Sequence, residues 1–162
     1  MSEILFLLDY YSPHKWWIEN VFEHLINWLL EKWYKITLIT SRFQDEIKPY
    51  EKAWNLTIYR IWKWRKWFFF KWFVKACEVL KKNKNIKIIH SSSYTSAIPA
   101  SILAKLFHKK SVVTIHEILV NYERNWNHDI LAEFLNYLND WWLNFHMIFI
   151  TAYRSILWIP YV

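Results

Sequence analysis

The chain has 162 residues, of which 54% are hydrophobic and 22% charged, and its formal net charge is +7. This length fits one domain with its own core, and the hydrophobic content excludes an intrinsically disordered chain. A single cysteine excludes an internal disulfide, and no uninterrupted apolar run reaches the ~18 residues that a transmembrane helix needs.

Short apolar runs alternate along the chain with segments of helical periodicity. In chain order the predicted elements are strand 3–8, helix 17–32, strand 34–40, strand 55–61, helix 68–82, strand 86–90, helix 96–108, strand 111–116, helix 129–140, strand 145–150 and the start of a helix at 152–157. Strands that alternate with helices predict a parallel sheet covered on both faces, which is the α/β class.

The counts of glycine and tryptophan are abnormal. Glycine is absent and tryptophan occurs 13 times, whereas average usage gives about 11 glycines in a chain of this length. Trp33 follows the first helix and Trp54 precedes a strand, both usual places for glycine. Trp28 lies inside the helix, where a small residue often permits close helix–strand approach. We therefore hypothesise that most tryptophans stand for glycine, through UGA codons that mean glycine or through deliberate replacement.

The alternative is that the tryptophans are authentic. The segment 60–73, RIWKWRKWFFFKWF, is then a basic and aromatic cluster. Such clusters bind single-stranded nucleic acid, by base stacking and phosphate attraction, or a membrane interface. A non-catalytic module for nucleic acid or a membrane surface is thus the alternative function. UGG codons at positions 16, 17, 33 and 54 would exclude mistranslation.

With glycine restored, residues 13–40 read PHKGGIENVFEHLINGLLEKGYKITLIT. This resembles the start of the N-terminal domain of the family-4-like glycosyltransferases of the GT-B fold, with its P…GG.E loop and its helix ending L…GH.V.V.T. Residues 86–118 and 145–160 are similar to later blocks of the same domain. The resemblance covers nearly the whole chain. It implies a Rossmann-like doubly wound parallel sheet with helices on both faces, as one GT-B N-terminal domain over 1–162.

The resemblance implies that the first loop contacts the donor's phosphates and lies near the acceptor. The residues implied are Lys15, Trp16, Trp17 and Glu19. A glycine pair at a helix N-terminus bares N–H groups to an anion, and the helix dipole adds attraction. Authentic indoles at positions 16 and 17 would block that approach. The plainer interpretation is a tight strand–helix turn that binds no ligand.

Two histidines end predicted strands. By resemblance, His116 is the catalytic candidate, because an imidazole near the acceptor hydroxyl can orient or polarise it. The residues implied for acceptor binding are His90, Ser92, Ser93, Tyr94 and Glu117. The plainer interpretations are structural histidines at strand ends and a serine that caps the next helix.

Neither a metal nor a cofactor is predicted. The histidines have no partners at metal-ligand spacing, and no GxxxxGK[ST] pattern appears even with glycine restored. Cys77 lies on a helical pattern, which predicts that its side chain is buried and packs in the core. The nucleotide-sugar donor is expected as a substrate.

The family resemblance implies a second, C-terminal domain that binds most of the donor. The chain ends about where the first domain crosses to that second one, so we expect an acceptor-binding half of a hexosyltransferase-type enzyme without turnover on its own. The expected partners are a nucleotide-sugar, a glycan or glycolipid acceptor, a C-terminal donor-binding half and a peripheral membrane contact; nucleic acid is not favoured. The expected location is cytoplasmic, with peripheral contact at the inner face of the membrane.

Overall fold

The computed structural model describes residues 2–62, 68–115 and 147–151. Its elements are β1 (Glu3–Leu7), α1 (Trp17–Glu31), β2 (Lys35–Arg42), β3 (Tyr50–Ala53), β4 (Leu56–Trp62), α2 (Phe68–Lys82), β5 (Ile86–Ser92), α3 (Ser93–Leu106), β6 (Lys110–Ile115) and β7 (Met147–Thr151). All six predicted strands and the first three predicted helices are confirmed. The helices predicted at 129–140 and 152–157 lie outside the described residues.

The seven strands form one sheet in the order β3-β4-β2-β1-β5-β6-β7. Every pair of neighbouring strands is parallel except the pair of β3 and β4. Numbered by themselves along the chain, these six parallel strands follow the order 3-2-1-4-5-6, which is that of doubly wound Rossmann-type sheets. The predicted fold class is therefore confirmed.

The edge strand β3 was not predicted. It pairs antiparallel with β4 and reads YEKA, with mostly exposed side chains. A strand without alternating apolar residues gives hydrophobic periodicity nothing to detect. An antiparallel edge strand on a mainly parallel sheet is common in this class, so β3 modifies the predicted architecture without changing it.

Helices cover both faces of the sheet. Because successive side chains of a strand point to opposite faces, the fully buried β1 contributes to two cores. The core on the α1 face includes Ile4, Phe6, Leu38, Phe22 and Ile26. The core on the α2 and α3 face includes Leu5, Leu7, Ile39, Trp72, Ala76 and Leu103.

Trp33 occupies a position that favours glycine, as predicted. Its φ is 66°, in the left-handed region. The N–H of Trp33 donates to the Leu30 carbonyl at 3.0 Å, and the N–H of Tyr34 donates to the Leu29 carbonyl at 3.1 Å. These two bonds form a Schellman motif that ends α1, with Trp33 at the position where glycine is usual.

The other tryptophan positions differ in whether their structure favours glycine. Trp54 is the first residue of the two-residue loop between β3 and β4, and its φ of 41° occurs where glycine is preferred in type II′ hairpins. Trp28 is 54% exposed, so the prediction that its position needs a small residue for close helix–sheet packing is wrong. Trp16 has a φ of −114°, which any residue adopts. His108, with a φ of 51°, is a left-handed residue that the sequence did not reveal.

Candidate functional site

The candidate site lies where the direction of chain winding reverses. β1 and β5 are neighbouring parallel strands, and Leu7 of β1 is the register partner of Ser91 of β5. The helices that follow these strands pack on opposite faces of the sheet, α1 on one and α3 on the other. Ligands of open α/β sheets bind in the crevice beyond the strand ends at such a reversal. We call this crevice, formed by residues 8–16 and 91–95, the switch crevice.

Backbone hydrogen bonds hold the first loop of the switch crevice on β2. The N–H of Leu8 donates to the carbonyl of Ile39 at 3.0 Å. The N–H of Ser41 donates to the carbonyl of Asp9 at 3.2 Å, and the Ser41 hydroxyl donates to the same oxygen. The start of the loop is therefore fixed relative to the sheet.

A buried arginine supports the middle of the same loop. Nη2 of Arg60, on β4, donates to the Ser12 carbonyl at 2.9 Å, and Nη1 lies 2.6 Å from Oε1 of Glu51. Only 4% of the Arg60 side chain is exposed. Arg60 was not predicted as a functional residue, although a lone arginine in the strand pattern NLTIYRI was a signal that a charge there needs partners.

Tyr11 and Thr40 lie beside the arginine. Thr40 is the register partner of Arg60, and its Oγ1 and the Arg60 Nε are buried without a hydrogen-bond partner among the described residues. Burial, and to a smaller extent the charge of Glu23, raise the pKa of Tyr11 to about 12, and Arg60 opposes the rise. The loop thus covers a buried polar cluster.

The N-terminus of α1 faces the switch crevice and brings the predicted loop residues together. The N–H of Trp16 donates to Oε2 of Glu19 at 3.0 Å, and Oε1 of Glu19 lies 3.3 Å from Nδ1 of His14. This is half of a capping box, since an indole has no oxygen to accept the reciprocal bond. Lys15, Trp16 and Trp17 are exposed, whereas Glu19 is buried and engaged within the loop.

The end of β5 supplies the other wall of the switch crevice. Nε2 of His90 lies 2.8 Å from Oγ1 of Thr114, and the ring stacks on Phe6 at 4.9 Å. His90 is 7% exposed, which places its ring in the core on the α1 face. Ser92 is the buried N-cap residue of α3, and its side chain makes no capping bond.

Four other predicted site residues are located only by their position along the chain. Ser93 and Tyr94 form the first turn of α3, beside the switch crevice. His116 and Glu117 lie outside the described residues, one and two positions after β6 ends at Ile115. Their predicted roles stay predictions.

The described residues contain neither a candidate metal cluster nor a helix that could span a membrane. Across 2–62, 68–115 and 147–151, no group of three or more His, Cys, Asp or Glu side chains is placed to hold a metal ion. No helix within these ranges is long and apolar enough to cross a bilayer.

Cys77 is partly buried against the core on the α2 and α3 face, in line with its predicted packing role. Burial raises the pKa of its thiol, and Lys81 opposes the rise.

Comparison with known proteins identifies a family and solved structures of similar fold, two of which are described below. The model of Glycosyltransferase Family 4 matches residues 18–152. Sucrose-phosphate synthase from Thermosynechococcus elongatus has a similar fold, with a TM-score of 0.59 and 11% identity over 94% of this chain and 48% of that one. MurG from Acinetobacter baumannii aligns with a TM-score of 0.47 and 12% identity over 71% and 35%. The chain spans about half the length of the synthase, and no curated protein sequence matches it.

Proposed function

Because the chain belongs to glycosyltransferase family 4, we propose that it is the acceptor-binding half of an enzyme that moves a hexose from a nucleotide-sugar to a glycan or lipid-linked acceptor. The observation that supports this proposal most is the switch crevice. Two helix N-termini, those of α1 and α3, begin at its walls. Helix N-termini present unpaired N–H groups and a positive dipole end, which suit phosphate and hydroxyl oxygens.

In this proposal the β1–α1 loop approaches the donor's phosphates and the acceptor. Lys15 supplies an exposed positive charge, and Glu19 acts within the protein by holding the loop through the Trp16 N–H. The indoles of Trp16 and Trp17 are 68% and 37% exposed and stand where a ligand would approach the helix N-terminus. Glycine at both positions would open that approach.

The β5–α3 junction is proposed to contact the acceptor. Ser92, Ser93 and Tyr94 are the candidate donors and acceptors of hydrogen bonds to sugar hydroxyls. His90 is proposed to act indirectly, since its ring is buried and bonded to Thr114 near the end of β6. His116 is the proposed catalytic residue, with Glu117 beside it.

The proposed partners follow from the same assignment. The donor is a nucleotide-sugar substrate without a metal or other cofactor, and a C-terminal donor-binding half completes the enzyme. The proposed location is cytoplasmic, with peripheral contact at the inner face of the membrane where lipid-linked acceptors lie. Membership of the family favours this function over a nucleic-acid module, whose segment 60–73 is described only in part.

The experiment has a binding arm and a turnover arm. The labelled chain is applied to an array of glycans and glycolipids, and the tightest ligand is titrated against Lys15→Ala and Ser92→Ala. We expect each variant to weaken binding about tenfold, a loss typical of a hydrogen-bonded or charged contact. Lys110→Ala, an exposed lysine at the opposite end of the sheet, is the matched control.

Each arm of the experiment has its own contradicting result. Binding of no glycan or glycolipid, or equal losses in all three variants, would contradict the acceptor assignment. In the turnover arm the chain alone is incubated with radiolabelled UDP- and GDP-sugars and the same ligand. Sugar transfer by the chain alone would overturn the proposal that it is inactive without its other half.

A further inference from the structure

A second depression lies outside the switch crevice, at the sheet edge where β3 and β4 meet α2. Its volume is about 480 Å³, within the range of small-ligand sites. Its lining includes Tyr50 and Tyr59 from the strands, Lys71 and Lys75 from α2, and the apolar side chains of Pro49 and Ile61. We call it the tyrosine–lysine groove.

Two aromatic rings form one wall of the groove. Tyr50 and Tyr59 are register partners in the β3–β4 pair, and their ring centroids are 5.2 Å apart at an interplanar angle of 43°. Tyr50 remains 48% exposed. An exposed tyrosine offers a flat apolar face together with a hydroxyl, which suits a ligand that is apolar on one side and polar at its rim.

The opposite wall is positively charged. Nζ of Lys75 lies 4.4 Å from the Tyr59 ring centroid and 2.9 Å from Oε2 of Glu78, so its charge is compensated. Lys71 lies one helical turn earlier and is exposed. Within the described ranges it has no ion pair, which leaves a positive charge at the mouth of the groove.

We propose that the tyrosine–lysine groove binds an acidic sugar unit of the acceptor glycan. The C–H face of a pyranose packs on Tyr50, and the carboxylate or phosphate of the sugar pairs with Lys71 in a charge-assisted hydrogen bond. This inference rests on the proposed function and adds to it the chemical class of the acceptor. The overall charge of +7 also favours an anionic glycan.

The molecule provides an internal control. Another depression, of about 330 Å³, is lined by Lys87, Ile88, His108, Lys109 and Lys110. It is at least as basic as the tyrosine–lysine groove, but no aromatic side chain other than a histidine lines it. Ligands held by charge alone would use both depressions, whereas an acidic sugar that also stacks needs the tyrosines.

The test titrates the purified chain with a glucuronic-acid oligosaccharide and with a neutral glucose oligosaccharide of equal length. Binding is followed by the NMR signals of the tyrosine rings. We expect the acidic ligand to bind at least tenfold more tightly. Lys71→Gln and Tyr50→Ala should each weaken it at least fivefold, Tyr50→Phe should retain it, and the double variant K87Q/K110Q should change it less than twofold.

Three results would overturn the proposal. They are equal binding of the neutral oligosaccharide, an equal loss in K87Q/K110Q, and tighter binding of oligothymidylate than of the acidic sugar at Tyr50. Circular dichroism checks that each variant is folded, and Tyr50→Phe tests stacking without removing the ring. If glycan binding still depends on Lys15 and Ser92 while the groove variants have no effect, the groove assignment fails and the proposed function stands.

Discussion

The guanidinium of Arg60 donates a hydrogen bond at 2.9 Å to the carbonyl oxygen of Ser12, 48 residues earlier in the chain. This contact connects β4 with the loop that leads into α1, although β2 lies between β4 and β1 in the sheet. Glu51 compensates the buried charge at 2.6 Å. The shape of the switch crevice therefore depends on a residue outside it.

Replacing Arg60 by methionine should loosen the first loop. The Ser12 carbonyl loses a charged donor, and a hydrogen bond to a charged group contributes about 2 kcal/mol. We expect the free energy of unfolding to fall by about that amount in a urea titration. Hydrogen exchange at residues 8–16 should accelerate in the same variant.

Arg42→Met is the matched control for the arginine contact. Nε of Arg42 donates to the Ile47 carbonyl at 2.7 Å, so this variant should accelerate exchange around residues 43–48 and leave 8–16 unchanged. If both variants changed residues 8–16 equally, Arg60 would have no specific effect on the loop.

Glycine at positions 33 and 54 should stabilise the protein. Both tryptophans have positive φ values, 66° and 41°, and a left-handed conformation costs a residue with a Cβ about 1–2 kcal/mol. Each variant, Trp33→Gly or Trp54→Gly, loses an edge-on contact between the two indoles and gains freedom in the unfolded chain. These two losses offset part of the gain, so we expect a small net stabilisation of about 0.5 kcal/mol for each, measured by chemical denaturation.

Trp72→Gly should have the opposite effect. This indole projects from α2 into the core and is 1% exposed, so its removal leaves a cavity and should cost about 4 kcal/mol. Trp16→Gly, at an extended φ, should change stability little. The hypothesis that tryptophan stands for glycine at 33 and 54 fails if these variants lose stability as Trp72→Gly does.

Hydrophobic periodicity was sufficient to predict the parallel sheet and its helices. β1 is buried throughout and β2 is buried along its middle, so both read as short apolar runs. The helix α1 places Phe22 and Ile26 on one side at helical spacing. β3 escaped prediction because its pairing depends on the neighbouring strand and not on its own side chains. The positive φ of Trp33 was predictable because a helix end that precedes a strand commonly uses a left-handed residue.

The sequence predicted the candidate site only as a group of residues that follow the carboxyl ends of parallel strands. Lys15, Trp16 and Ser92 lie at the switch crevice because every parallel strand ends at the same edge. The burial of His90 and Glu19 was not visible in the sequence, since their partners Thr114 and His14 come from packing in three dimensions. The lone arginine in NLTIYRI indicated a charge that needs partners, but the Ser12 carbonyl could not be identified as one, because every residue carries a backbone carbonyl.

Removing the Glu19 carboxylate should weaken the start of α1. In Glu19→Ala the Trp16 N–H loses its acceptor at 3.0 Å, and loss of such a cap costs about 1 kcal/mol. Glu19→Gln keeps an oxygen acceptor and should retain most of that stability. Glu31→Ala, an exposed acid in the last turn of the same helix, should be neutral or slightly stabilising. Equal losses in Glu19→Ala and Glu31→Ala would contradict the capping role.

Tyr11 should make the protein sensitive to alkali between pH 10 and about 12. Burial raises the pKa of Tyr11 from 10.0 to about 12 in the folded protein. The folded state therefore holds a proton that the unfolded state has lost in this range, so the stabilising effect is complete below pH 10 and disappears as the pH rises through 12. Tyr11→Phe should remove this part of the decline, about 1.3 kcal/mol between pH 9 and pH 11, in urea titrations at pH 9, 10 and 11. Tyr34→Phe, at a more exposed tyrosine, is the control and should leave the decline unchanged. Identical pH profiles for Tyr11→Phe and the unsubstituted chain would show that the loop over Arg60 does not bury this hydroxyl.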